Sequence, residues 1–283
     1  MEFVFEQKEE AQKFYDRVHK VRVEILNKEP KSLLRTPFST DKMLQAAAET
    51  LHYSPQKAMQ LAQELFESGL ITYHRTDSIR VSPVGIALAK EYIAHRFGQD
   101  YFHPRSFSES GGAHECIRPT RAMDAKQLEE YLKFSNLSLE AEHVALYDLI
   151  FRNFIASQMK EAVVEEAEAR VEALDRSTQI HYYDKILEHG IDLVVEVPIE
   201  SIEEGEYEVQ KELQSRPRKP HYTYAQIIAM MKERGVGRPS TYAITIEKLL
   251  ERRYVIQRGT SLIATKLGIK AVSYTHLTLP TKA

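Results

Sequence analysis

A phenol two residues from a guanidinium is the pairing in this sequence best suited to chemistry. Tyr73 and Arg75 stand in GLITYHRTDS, Gly69 to Ser78. Thr72, Tyr73 and Thr76 favour extended backbone, Gly69 stops the helix predicted before it, and residues two apart on a strand share a face. Tyr73 and Arg75 are therefore expected to point the same way. A tyrosine hydroxyl attacking a phosphodiester needs such company, because arginine neutralises the phosphate and helps stabilise the phenolate. The pair alone is weak evidence: the chain has 15 tyrosines, and a half-buried strand residue is the ordinary reading of any of them.

Two further stretches carry groups suited to phosphate. Gly111-Gly112 precedes AHECIRPT, Ala113 to Thr120, where paired glycines permit close backbone approach and His114, Arg118 and Thr120 offer three kinds of phosphate-binding group. An ordinary polar turn explains the same residues. His114 and Cys116 could also be read as a thiol-hydrolase pair, although residues two apart form a dyad less readily than groups from separate elements. In GVGRPSTYA, Gly235 to Ala243, the glycines free the loop, Pro239 stiffens it and Ser240 is expected to cap the next helix. Arg238, Ser240 and Thr241 would then grip a phosphate at the helix start; a capped helix without ligand is the alternative.

The elements that must position these groups follow from punctuation and periodicity. Residues 1–27 begin with a strand-like Phe3-Val4-Phe5, then show helical spacing through Ala11, Phe14 and Val18 that shifts towards alternation at Val21 and Val23. No complete small domain is visible there, so the segment should pack on a later part of the chain. Ser39 or Thr40 caps one predicted helix, Ser54-Pro55 starts a second that Gly69 ends, and Ser82-Pro83 opens another that stops near Gly98. The order helix, turn, helix, strand around Tyr73 is winged-helix-like. A short helix is predicted over 124–134, and a long one from a Ser138 cap to about Lys160, apolar on too many sides for a surface helix. From Val163 period-two alternation predicts antiparallel strands, with others at 178–187, 191–197 and 207–213. After SRPRKP, Ser215 to Pro220, Thr223 caps a helix, and residues 254–265 read as a hairpin around Gly259, a second winged-helix-like unit. The fold class is α+β multidomain: a helical tyrosine domain, an antiparallel β module and a helical DNA-binding part.

Composition narrows the function classes. At 283 residues and 43% hydrophobic content the chain can build real cores. No apolar run approaches the roughly 20 residues of a membrane span, and MEFVFEQKEE lacks signal-peptide layout; a cytoplasmic, nucleoid-associated location is expected. The single cysteine excludes an internal disulfide framework and a cysteine-rich zinc site. The formal net charge of −3 hides an asymmetry. Residues 160–212 carry 16 acidic and 5 basic side chains, about −11, and residues 213–270 carry 12 basic and 3 acidic, about +9. A cationic surface beside an acidic module suits a phosphate backbone. The glutamates alternate along a strand, which fits a solvated sheet face rather than a metal site.

Taken together, GLITYHRTDS, GGAHECIRPT and GVGRPSTYA resemble, in order and approximate spacing, the motifs of the type IA DNA topoisomerases. PFST, Pro37 to Thr40, and LYDLIFRNFIASQM, Leu146 to Met159, extend the likeness over about residues 33 to 271. The long helix, ITYHRTDS and MMKERGVGRPSTYA are most similar to the topoisomerase half of reverse gyrases, with archaeal topoisomerase I as the near alternative. The resemblance implies that Tyr73 attacks single-stranded DNA to give a 5′-phosphotyrosine without ATP. It implies that Arg75 stabilises the phosphate, that His114 contacts it, and that Arg118, Thr120, Arg238, Ser240 and Thr241 face DNA, single-stranded or supercoiled. Asp77 and Glu115 fall on motif positions with supporting roles, and Cys116 stands where the family usually has alanine. By the same analogy residues 1–32 are the end of a gate arch, 33–160 the tyrosine domain, 161–218 an acidic β gate and hinge, and 219–271 part of the DNA-binding domain. The family's Toprim module, with its catalytic glutamate and Asp-x-Asp cluster for Mg²⁺, has no counterpart motif here. Mg²⁺ is therefore expected on that missing portion and no metal on this chain, and ATP only where a reverse-gyrase helicase half is present. Residues 272–283 resemble the translation of a transposon-end sequencing adaptor and are expected to be non-native. A rival reading is a non-catalytic single-stranded DNA-binding protein in which Tyr73 merely stacks on a base.

Overall fold

The computed structural model describes residues 1–107, 114–215 and 221–277, with side chains to 273. The chain divides into two compact units, Met1–Leu34 with Lys160–Pro220, and Arg35–Met159 with His221–Ala283.

The first unit is an antiparallel sheet built from segments far apart in sequence. Helix α1, Lys8–Arg17, leads into strand β1, Lys20–Leu33; then come β2, Ala162–Ala173, β3, Arg176–Glu188, and the short β4, Gly205–Glu208. The strand order is β3-β2-β1-β4. Val21 and Val23 meet Ala167, Ala169, Val171, Ala173 and Tyr182 on the buried face, as the period of two requires. The alanines leave room for Phe14 of α1 and for Phe3, whose ring centroids lie 5.1 Å apart. Phe5 also packs on Phe14, so the strand-like start is a coil held by ring contacts. Further along the sheet β1 partly neutralises acidic side chains of β2 and β3: Lys28, in register with Ala167, bonds Asp184 at 2.5 Å and lies 3.4 Å from Glu165, and Lys31 bonds Glu166 at 2.6 Å.

The strand expected over 191–197 does not form. A single 3₁₀ turn, Ile191–Leu193, stands there. The Asp192 carboxylate takes the Gly190 amide at 2.6 Å and His189 Nδ1 at 2.6 Å, which closes the backbone into a turn. Gly190 itself lies so close to the backbone that a Cβ there would stand 2.3 Å from the carbonyl oxygen of Lys160.

The second unit is mainly helical. Helices α2, Thr40–Thr50, α3, Pro55–Glu67, α4, Pro83–Arg96, α5, Ala125–Phe134, and α6, Ala141–Ser157, make its first part. The serines before Pro55 and Pro83 do cap, accepting from the Lys57 and Gly85 amides, and Asp124 and Gln127 form a capping box. Helix α6 is the spine: Leu146, Tyr147, Ile150, Phe151, Phe154 and Ile155 are all buried, and it packs on α2, α3, α4 and α5. Its cap is Glu140 with His143 at N3, two residues beyond the expected Ser138.

The C-terminal part comprises β5, Tyr222–Thr223, α7, Tyr224–Glu233, α8, Tyr242–Glu251, the hairpin strands β6, Val255–Arg258, and β7, Ser261–Ala264, and α9, Lys266–Leu277. The three strands pair in the order β5-β7-β6, with Gly259 at φ 60° in the hairpin turn. Helix α7 packs on α2 and α8 on α3. The regions expected as tyrosine domain and DNA-binding domain thus share one compact unit.

Candidate active site

Tyr73 stands on an irregular loop and not on a strand. Gly69, at φ 69°, ends α3, and the chain is then stitched to the segment after His114 by non-local bonds. Ile71 bridges Pro119, the Thr72 amide donates to the Arg118 carbonyl at 2.9 Å, and the Thr120 amide donates to Leu70 at 3.0 Å. Beyond Thr72 a side chain replaces the strand partner. The Thr40 hydroxyl lies 2.7 Å from the His74 carbonyl and 2.9 Å from that of Thr76, and it accepts from the Thr76 amide at 2.9 Å. The Thr40 amide donates to the Thr76 carbonyl at 2.8 Å. Backbone groups saturated this way have no need of a sheet. The expected alternation survives: Tyr73, Arg75 and Asp77 are exposed, while His74 and Thr76 are buried.

The Tyr73 ring is wedged edge-on by Phe66, centroids 5.3 Å apart, and by His74 at 5.6 Å, with the His114 ring at 5.4 Å. Its hydroxyl has no hydrogen-bond partner among the described residues, and Tyr73 lines a shallow cavity of about 290 Å³ with Thr72, Arg80, Ser82, His114 and Glu115. The phenol is thus held by its ring, with no hydrogen bond at its oxygen among the described residues.

Arg118, expected on the DNA-facing surface, is 5% exposed. Its Nε and Nη2 form a two-pronged pair with Glu115 at 2.9 and 2.8 Å, and Nη1 donates to the Pro119 carbonyl at 2.9 Å. Its donors are therefore spent inside the protein. Burial alone would raise the Glu115 pKa, but the hydrogen bonds from Arg118 and Ser82 outweigh it and hold the carboxyl below the usual range. Thr120 is exposed, but its hydroxyl donates to the Gly69 carbonyl at 2.6 Å and anchors the end of α3. Gly111 and Gly112 lie outside the described residues.

Arg75 does not line the cavity with Tyr73. Its Nε donates to His74 Nε2 at 3.4 Å. His74 is fully buried, its Nδ1 has no partner among the described residues, and burial followed by the charge of Arg75 pushes its pKa down to about 4. Cys116 is fully buried, and burial followed by the charge of Glu115 pushes its thiol up to about 12. A thiol so held cannot form a thiolate nucleophile at neutral pH, which removes the His114–Cys116 hydrolase reading.

In the second motif Gly235 and Gly237 adopt φ 66° and 83°. Ser240 does not cap α8. Thr241 occupies the cap position, and its hydroxyl accepts from the Arg238 amide at 2.8 Å, closing a turn before the helix. Arg238 Nη1 donates to the Gly237 carbonyl at 2.7 Å, and Ser240 is exposed. This loop shares charged surroundings with the far end of the tyrosine loop, because Lys232, Asp41, Arg238 and Asp77 all bear on the ring of Tyr242. Lys232 lies 3.4 Å from Asp41, in the first turn of α2.

Sequence reasoning missed Arg80, Ser82 as a wall residue, and His74. Arg80 comes seven positions after Tyr73, an odd spacing that on the extended backbone expected there would put the two on opposite faces, so only the loop path reveals the juxtaposition. Among the described residues no group of three His, Cys, Asp or Glu side chains is disposed to hold a metal ion. The residues around Tyr73 do not fit a divalent cation, since both carboxylate oxygens of Glu115 are engaged by Arg118.

A family model described as DNA topoisomerase matches residues 2–280. Reverse gyrase 1 of Aquifex aeolicus is 47% identical over 272 residues, 94% of this chain and 24% of that protein. The chain belongs to the type IA DNA topoisomerases. Reverse gyrase of Pyrococcus furiosus is 43% identical over 84% of this chain and 20% of its own length. Full-length topoisomerase I from Thermotoga maritima shares the fold with a TM-score of 0.71 at 30% identity, over 98% of this chain and 48% of that one. The chain thus corresponds to a reverse gyrase-like topoisomerase region spanning about a quarter of the length of that Aquifex relative. The mixed α and β architecture with antiparallel sheets agrees with membership of this family. Among the described residues no helix is long and apolar enough to cross a membrane.

Proposed function

We propose that Tyr73 is the nucleophile of a type IA strand-cleavage reaction on single-stranded DNA. The observation that carries this is the phenol that lines a cavity with His114, without a hydrogen bond at its oxygen among the described residues, on a loop clamped by Thr40. The phenol gives its proton to an acceptor as its oxygen bonds to phosphorus, the bond from phosphorus to the 3′-oxygen breaks, and the 3′-oxygen takes up one proton to leave as a hydroxyl, so no proton is gained or lost overall. Religation reverses these steps, and the energy stays in the phosphotyrosine link. A phenol of reference pKa near 10 is protonated at neutral pH, so attack needs cationic neighbours and a proton acceptor. His114 contacts the phosphate from across the Tyr73 ring. Arg75 is exposed and, once its hydrogen bond to His74 gives way, neutralises the phosphate. Arg118 and Glu115 fix the wall of the cavity, Thr120 anchors the segment, and Asp77 supports the loop by hydrogen bonding. Arg238, Ser240 and Thr241 contact DNA at the second motif.

In this reading the helix pairs α2–α3 and α7–α8 act as winged-helix-like DNA-binding units. The acidic sheet unit is the gate and hinge, whose acidic face suits a part that does not grip the strand. Mg²⁺ enters with a Toprim portion and ATP only with a helicase portion; supercoiled DNA is the substrate of the whole enzyme. The test supplies a family Toprim portion in trans with a labelled single-stranded oligonucleotide and traps products with denaturant. A covalent adduct is expected with the parent chain and none with Tyr73→Phe. Equal adduct from both would show that another residue is the nucleophile, and binding without any adduct would favour a non-catalytic role.

A further inference from the structure

We infer that Arg80 is a phosphate-binding residue of the Tyr73 site, a role that rests on the strand-cleavage reading above. Arg80 lines the same cavity as Tyr73 and His114, whereas Arg75 does not. It is half-buried, and its guanidinium has neither a hydrogen bond nor an ion pair among the described residues.

An arginine left without a partner while half out of water is costly unless a ligand completes it. The carboxylate able to complete it is within the same wall. Glu115 borders the cavity, but Arg118 holds it from behind with two hydrogen bonds. The pair cancels to no net charge and leaves Arg80, among the described residues of the lining, as the cation without a counter-charge, with Tyr73, His114, Thr72 and Ser82 as its other polar company. The backbone keeps it there: the Arg80 carbonyl accepts from the Cys116 amide at 2.8 Å, and the Arg80 amide donates to Ser78 Oγ at 3.1 Å. A site built in this way takes a singly charged phosphodiester, whose non-bridging oxygens match the two-pronged donor face of arginine. Bound so, the guanidinium would bring the phosphorus within reach of the Tyr73 oxygen and offset charge that grows on the phosphoryl oxygens during attack.

The test is salt-dependent binding of a fluorescein-labelled single-stranded oligonucleotide to the full 283-residue chain, read by anisotropy. Each phosphate contact on a single strand contributes about 0.7 to the slope of log affinity against log salt. Arg80→Ala is expected to lower that slope by about 0.7 and weaken binding several-fold, and Arg80→Lys to restore the slope. Arg176→Ala, in the acidic unit, should leave it unchanged. With the Toprim portion added, Arg80→Ala should slow adduct formation at least tenfold at saturating DNA. Because the side chain bonds nothing among the described residues, the urea midpoint should stay at the parent value in both Arg80 variants. An unchanged slope and adduct rate in Arg80→Ala, with normal binding by the parent, would overturn the assignment of Arg80 alone. Absence of salt-dependent binding by the parent would overturn the strand-cleavage reading with it.

Discussion

Burial holds the His74 imidazole neutral down to about pH 4, and the charge of Arg75 works in the same direction. An ordinary histidine takes up its proton near pH 6.5. Between those values the unfolded chain binds a proton that the folded chain refuses, so stability falls as pH drops through that window and stops falling below about pH 4. At pH 7 both states are neutral and the cost vanishes. The difference is roughly 3 kcal/mol at most. Urea midpoints measured at pH 7 and pH 4.5 should therefore converge in His74→Met relative to the parent, and an unchanged gap would mean that the ring charges freely. Cys116 makes a simpler prediction. With its thiol fully buried and its pKa near 12, it should resist iodoacetamide in the native state and react only after denaturation.

Thr40 shows how much of the site belongs to elements. One hydroxyl at the start of α2 serves backbone groups of both His74 and Thr76. Thr40→Val keeps the shape and removes the hydroxyl, so it should cost about 1–3 kcal/mol and expose the Thr76 amide to hydrogen exchange. Gly85, in the first turn of α4, is the matching constraint from the other side. A Cβ there would stand 2.8 Å from Arg118 Nε and 2.9 Å from its Cδ, atoms that the Glu115 pairing prevents from yielding. Gly85→Ala, which elsewhere in a helix would stabilise, should here lose about 1–3 kcal/mol. The helices themselves were legible because their signals are local: Ser-Pro before α3 and α4, Asp124 with Gln127, Thr223 with Gln226. The loop of Tyr73 was not, because its bonding partners come from Thr40 and from the segment after His114. Period-two spacing still predicted which side chains face out, since alternation needs extended backbone and not a sheet. The motifs singled out Tyr73 and His114 as candidates, but only the folded path brings Arg80 to the same cavity, and only burial shows that Arg118 is turned inward.

For the whole molecule, the sheet unit depends on joining the first 34 residues to a segment beginning at Lys160. Its core joins Val18, Val21 and Val23 from one segment to Ala167, Ala169, Val171, Ala173 and Tyr182 from the other. Removing residues 1–34 would strip β1 from between β2 and β4 and expose the alanine face of β2. Limited proteolysis of such a truncation should cut first within 160–215, while the helical unit persists as a resistant core; equal resistance of both regions would contradict the division.

The pairing of Leu33 with Ala162 has a consequence during synthesis. At translation speeds of about 5–20 residues per second, the roughly 130 residues between them take on the order of 10 s to emerge. Throughout that interval β1 is out of the ribosome without its neighbour, a bare strand of the kind that recruits other chains. The sequence KVRVEILNKEPKSL meets the hazard in its own composition: charges interrupt the apolar residues and Pro30 removes one amide donor from the ladder. The lysines that later neutralise the acidic strand thus also guard their own strand while it waits.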